Sequence, residues 1–178
     1  MTISMYQASV PVFIRMLNNL IGILEKAAAY AEVRKIEPAV LINSRLYPDM
    51  FPLVRQIRIA TDAAMGGTAR LAGMEPPKWE DNETTFADLI ERIRKTIAYV
   101  SGFKPEQIDG SEKAKIELKV RDGTLTLDGL TFLLNRTLPN FYFHITTSYG
   151  ILRHNGLEIG KKDYLAQVGP YIRASRTA

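Results

Sequence analysis

Leu138-Pro139-Asn140-Phe141-Tyr142-Phe143-His144-Ile145-Thr146-Thr147-Ser148-Tyr149-Gly150-Ile151-Leu152-Arg153-His154-Asn155-Gly156 holds both histidines of the chain and four of its Phe and Tyr residues. Thr137 stands ready as an N-cap, Pro139 suits a first helical turn, and Gly156 is a natural stop. Between these limits Phe141, Ile145, Ser148 and Leu152 share one helical face. Asn140, His144, Thr147 and Ile151 lie on the face beside it. The stretch predicts a last long helix that turns its aromatic side inward and carries one imidazole on its flank.

Upstream of it the period changes. Ile116, Leu118 and Val120 alternate with charged residues, Asp122-Gly123 follows, and Leu125 and Leu127 alternate with threonines. This predicts a β-hairpin at about 115–128 whose Asp-Gly turn pairs Val120 with Leu125. Before the hairpin, Phe86, Ile90, Ile93, Ile97 and Val100 make a helical stripe. Thr85 and Asp88 resemble a capping box at its start, and Gly102 ends it.

Two further helices precede these. Tyr6, Val10, Phe13, Leu17, Leu20, Leu24, Ala27 and Ala31 alternate in steps of four and three, predicting a helix from near Thr2 to near Lys35. Pro11 falls on its outer side and predicts a kink. Met16, Ile23 and Tyr30 broaden the apolar face enough to meet a partner subunit as well as the chain's own core. Glu37-Pro38 breaks the helix, and Ala39 to Arg45 can form a short turn. The second long helix is expected from about Asp49, as N-cap, with Pro52 in the first turn and Leu53, Ile57, Ala60, Ala64, Gly67 and Leu71 as its core stripe. The small residues from Ala60 to Gly67 allow another helix to approach closely, or leave room for a ligand. Gly73 closes it. Residues 75–82, with the only tryptophan, Trp79, read as a loop. After Gly156, Gly160 to Leu165 predicts one more turn, and the tail from about Tyr171 is expected to be loose. The fold class is therefore all-α: four long helices in a bundle, with a small β-hairpin inserted between the third and fourth, in a single domain over 1–178.

Composition excludes several chemistries. With no cysteine there is no disulfide, thiolate nucleophile or Cys-ligated metal, and two histidines cannot build a three-His site in one chain. The N-terminus lacks a basic region and cleavage pattern, and no apolar run approaches the ~20 residues of a spanning helix, so no membrane association and a cytoplasmic location are expected. The net charge of +4 is spread among acids, without a basic run interleaved with aromatics, so no nucleic-acid binding is expected.

His144 is the candidate for chemistry, as a metal ligand or general base, with Asn140 one turn before it and Ser148 one turn after. The structural alternative is a semi-buried imidazole held by a hydrogen bond across the bundle. Arg153 and His154 suit the C-terminal dipole of the helix. Gln56 flanks the core stripe of helix two, Asp62 is placed to pair with Arg58 at i, i+4, and Lys161-Lys162-Asp163 reads as a solvated turn. No serine elbow or isolated carboxylate pair is present.

Pro139 to His144, Tyr149, Ile151 to Gly156 and Gly160 to Leu165, supported by Phe51-Pro52-Leu53 and Ala69 to Gly73, resemble the DinB/YfiT-like superfamily, in its uncharacterised domain-of-unknown-function branch. The resemblance covers most of the chain. It implies the bundle fold and frequent pairing as a homodimer. Members typically hold a divalent metal with three histidines, one on helix two and two spaced HxxxH on the last helix, followed by an arginine and a glycine. Aligning Arg153 and Gly156 with that arginine and glycine places His144 at the second HxxxH position, Asn140 at the first and Gln56 near the helix-two position. Two of the three ligands are replaced by amides. The resemblance thus implies the fold without the metal, no cofactor, and a homodimeric small-ligand-binding or structural protein with a cleft lined by Gln56, Asn140, His144 and Ser148. The alternative is a metal-dependent transferase or hydrolase using His144.

Overall fold

The computed structural model describes residues 2–121 and 123–166. Helix α1 (Met5–Arg34) opens on a capping box: Gln7 N donates to Ser4 Oγ and Ser4 N to Gln7 Oε1. Its stripe from Val10 through Phe13, Leu17, Leu20, Leu24, Ala27 and Ala31 is buried, and the helix continues past Pro11, which stays exposed. Among the described residues α1 alone has the length and apolarity of a membrane-crossing segment, and 56% of its most apolar window is buried inside the fold. Met16 and Ile23, expected to widen the helix toward a partner, are buried within the chain itself.

Helix α2 (Pro38–Ile42) is the short turn after Glu37-Pro38. Helix α3 (Leu53–Leu71) starts later than Asp49 would place it. Asp49 lies outside the helix and is exposed, and Pro52 is the N-cap. Pro52 is extended, at φ −70° and ψ 166°, and its carbonyl accepts from Arg55 N and Gln56 N. The whole predicted stripe from Leu53 to Leu71 is buried. Gly73, at φ +69°, ends the helix as Met74 N reaches back to Ala69 O.

Helix α4 (Phe86–Ser101) begins at Thr85, whose Oγ1 accepts from Asp88 N while Asp88 Oδ2 accepts from Thr85 N. After α5 (Pro105–Ile108) and a 3-10 turn at Ser111–Lys113 come β1 (Lys115–Val120) and β2 (Gly123–Asp128). The hairpin is antiparallel but shifted from the expected register. Val120 pairs with Gly123, not with Leu125, which places Leu118 opposite Leu125 and Ile116 opposite Leu127. A two-residue slip keeps every side chain on its face, so the apolar alternation permits either register. The observed one matches the four leucine and isoleucine side chains in pairs and leaves Asp128 free to cap the next helix.

That helix is the main departure from the sequence reading. Thr137 is itself helical and caps nothing. The true N-cap is Asp128, whose carboxylate accepts from Thr131 N at 2.8 Å. From α6 (Gly129–Thr131) the chain passes through a π-helical stretch, Phe132–Thr137, directly into α7 (Leu138–His154). Pro139 has no N–H to give to a helical carbonyl and its ring crowds the turn before it. A π-helical stretch preceding it widens that turn and lets the helix continue.

At the far end Gly156 (φ +91°) stops α7, with Leu157 N bonded to Leu152 O. Helix α8 (Lys161–Leu165) follows, as expected. Asp163 is no solvated turn residue: it accepts from Gly160 N and pairs with Lys26, tying α8 to α1. The expected loose tail from Tyr171 lies outside the described residues.

The four long helices share one core, in which Phe13 of α1 meets Phe141 of α7 edge to face at 4.9 Å. Helices α3 and α7 run antiparallel, since Gln56 lies against His144 and Gly67 against Thr137. A Cβ on Gly67 would stand 2.5 Å from the Thr137 methyl, so the small-residue stretch serves close helix approach. The fold is all-α with one inserted hairpin.

Candidate functional site

His144 projects from α7 onto the first turns of α3. Its Nδ1 lies 2.6 Å from Oε1 of Gln56, and both residues are buried. The roles of these atoms follow from their surroundings. Gln56 Nε2 donates to Phe51 O at 3.0 Å, which turns the amide oxygen toward the imidazole. An oxygen can only accept, so Nδ1 carries the hydrogen and Nε2 carries the lone pair. Burial, aided by the positive charge of Arg55, pushes the His144 pKa below its ordinary value. The imidazole is therefore neutral at neutral pH. The Phe143 ring stands perpendicular to it, with ring centroids 5.1 Å apart.

The other two candidate residues are placed differently. Ser148 is fully buried one turn on, but its hydroxyl donates to the His144 carbonyl at 2.8 Å. Asn140 is exposed and helps line a cavity of about 740 Å³ between α3, the 75–78 loop, the hairpin and the π stretch. Neither Gln56 nor His144 lines that cavity. One turn of α7 thus separates a closed imidazole–amide pair from an open polar chamber. Arg153 and His154 end α7 as expected, with Arg153 Nη1 donating to Leu157 O at 3.2 Å.

The donor set does not suit the divalent metal of the superfamily. Gln56 Oε1 is spent on His144 Nδ1–H, so of this pair only the Nε2 lone pair is left to face an ion, short of the three protein ligands a zinc site uses. Amide oxygens are weak ligands for zinc or nickel in any case. Among the described residues no three His, Cys, Asp or Glu side chains gather around a common point.

A second cluster had no local signal in the sequence. Arg92 of α4, its side chain 3% exposed, donates from Nε to Thr61 Oγ1, from Nη1 to Glu83 Oε1 at 2.7 Å and to Glu80 O, and from Nη2 to Asp62 Oδ1 at 2.8 Å. Arg58 does not pair with Asp62; its Nε holds the other oxygen of Glu83, at 2.6 Å. The expected i, i+4 pair gives way because a buried guanidinium from the neighbouring helix competes for Asp62. The Trp79 ring lies beside the cluster, its centre 6.0 Å from Arg92 Cζ and 4.5 Å from Lys95 Nζ.

A family model for a domain of unknown function, DUF1993, matches residues 5–165. The chain is similar to a solved structure described as a DinB family member protein from Shewanella denitrificans, with 45% identity, 95% of each chain covered and a TM-score of 0.86. No curated protein matches it. With nearly the whole chain inside that model and its helices superposing on those of a close DinB relative, the protein belongs to the DUF1993 family and is DinB-like in fold.

Proposed function

We propose that this chain is a metal-independent small-ligand-binding protein that works as a cytoplasmic homodimer. The observation that supports it is the separation of imidazole and open volume. The metal position that the resemblance implies holds one imidazole and two amides, with the Gln56 oxygen spent on His144 Nδ1–H, while the cavity beside it contains no histidine. In this reading Gln56 and His144 pin α3 to α7 and set the wall from which Asn140 reaches the cavity.

Two measurements test it. Protein purified without a histidine tag should contain no stoichiometric zinc, nickel, manganese or iron. His144→Ala should cost about 1–3 kcal/mol in urea denaturation, because Gln56 Oε1 loses its donor in a buried place. Stoichiometric metal that disappears in His144→Ala would overturn the reading and leave a metal-dependent enzyme in its place.

The dimer has a surface to use. Tyr47 and Phe51, before α3, and Phe143, on α7, are each more than half exposed, and Leu46 packs near Gly150 on α7. Large exposed apolar side chains on neighbouring segments favour association. Sedimentation at micromolar concentration should show a species of twice the 20.0 kDa chain mass, and Phe143→Ser should shift it toward the monomer. A 20.0 kDa species alone would count against the homodimer.

A further inference from the structure

We propose that the cavity of about 740 Å³ is a site for a small organic anion, one with an apolar body and a carboxylate or phosphate group. This rests on the ligand-binding reading above and narrows it to one class of ligand.

The charge balance of the lining points to an anion. Arg70, Lys78, Lys119 and Arg136 contribute four cations. Among the described residues none of the four forms an ion pair. Of the three acids that line the cavity, Asp62 is engaged by Arg92 and Glu117 by Lys115, which leaves Glu75. The walls thus carry a surplus of uncommitted positive charge, in a concavity where field lines concentrate. The buried part of the lining is different in kind. Leu118 and Phe132 are 8% and 3% exposed, and Gly67 of α3 is buried. A volume of this size, with an apolar base and a few convergent polar groups, is typical of small-molecule sites.

Arg70 gives the site a fixed feature. Its Nη1 donates to Gly66 O at 3.1 Å, so the side chain folds back along its own helix. A Cβ on Gly66 would come within 2.6 Å of that nitrogen and 3.9 Å of Pro76 Cβ. Glycine at 66 therefore leaves the groove in which the guanidinium lies. One N–H is spent on the carbonyl and four remain, in a planar fork suited to two oxygens of one anion. Arg136 comes from the π stretch, lined up on the same cavity as Thr137 and Asn140.

Isothermal titration of the intact chain tests this, with benzoate and phenyl phosphate as anionic probes and benzyl alcohol as the neutral probe of similar body. The two anions distinguish carboxylate from phosphate recognition. At least one anion should bind more tightly than benzyl alcohol, and added sodium chloride should weaken it. Arg136→Gln removes an exposed charge. Gly66→Ala displaces the flexible end of Arg70 at a helical position where alanine is otherwise favoured. Each should lower anion affinity by about tenfold or more, with circular dichroism and thermal midpoint preserved. Benzyl alcohol binding as tightly as both anions would overturn the anion assignment and leave ligand binding standing. Anion binding unchanged in both variants would place it elsewhere and overturn the proposal. Failure of all three probes would overturn both readings.

Discussion

Arg92→Met lowers the stability of the protein by about 3–5 kcal/mol, measured as the shift in urea midpoint at constant slope. The expectation follows from what the guanidinium leaves behind. Its side chain is 3% exposed and that of Glu83 is 7% exposed, so the pair sits out of water. Methionine would fill much of the space but would strip Glu83 of its Nη1 donor and leave Glu80 O and Asp62 without theirs. Arg58 remains on Glu83, which keeps the carboxylate from being wholly uncompensated. For that reason Arg92→Met combined with Glu83→Gln should cost less than the sum of the two single changes. A loss below about 1 kcal/mol for Arg92→Met would show that the cluster behaves as an exposed one.

The same cluster shapes the acid limb of stability. Burial works to raise the Glu83 pKa, but hydrogen bonds from Arg92, its own backbone and Arg58 outweigh it, and the net direction is down from 4.5. A depressed carboxylate stabilises the folded state fully above its unfolded value, and the contribution fades as pH falls through the folded value. Asp62 moves the other way: burial raises it from 3.8 despite the opposing charge of Arg92. Its contribution is present at lower pH and is lost as pH rises through that raised value. Glu83→Gln should therefore flatten the loss of stability below pH 4.5, read from denaturation midpoints across the acid range.

Most of the helical framework was legible because its signals are local. The stripes on α1, α3 and α4 and the capping box at Thr85 and Asp88 depend on spacings of three and four residues. Gly73, Gly102 and Gly156 mark helix ends for the same reason. What escaped depends on contacts between elements. The hairpin register has two solutions with identical faces, so alternation cannot choose between them. The start of α7 was misread because Thr137-Leu138-Pro139 looks like a cap followed by a first turn. The chain instead stays helical from Asp128 by adopting π geometry ahead of the proline. The site shows the same division. The stripes put His144 and Gln56 on the flanks of their helices, the superfamily resemblance put them together, and they meet. The direction of Asn140, toward a cavity walled by the hairpin and the 75–78 loop, required the tertiary arrangement of segments whose sequence carries no periodic signal. Arg92 reads locally as an ordinary charge beside the α4 stripe, and nothing nearby announces that a loop nine to twelve residues upstream will bury it.

Among the described glycines, Gly129→Ala should be the most damaging alanine substitution, costing about 2–4 kcal/mol in urea denaturation. A Cβ at this position would stand 1.9 Å from Ser111 O and 3.0 Å from its carbonyl carbon. The obstacle is backbone, which cannot swing aside as a side-chain terminus would. The contrast with Gly66 is direct, since there the nearest atom is the mobile end of Arg70. Relief at 129 requires either the 3-10 turn at Ser111–Lys113 or the junction of β2 with α6 to move. Asp128, the neighbouring N-cap, holds that junction through its bonds to Thr131 N and Oγ1. A shift there is passed to the π stretch and to β1, both of which wall the cavity. Gly129→Ala should accordingly weaken anionic probe binding as well as stability. Gly110→Ala, beside the same turn, meets open space but sits at φ +86°, so it carries backbone strain without the clash. It should cost about 1 kcal/mol and leave probe binding nearly unchanged. Equal losses in the two variants would mean that the contact between Gly129 and Ser111 relaxes freely, and that the hairpin junction does not hold the cavity wall in place.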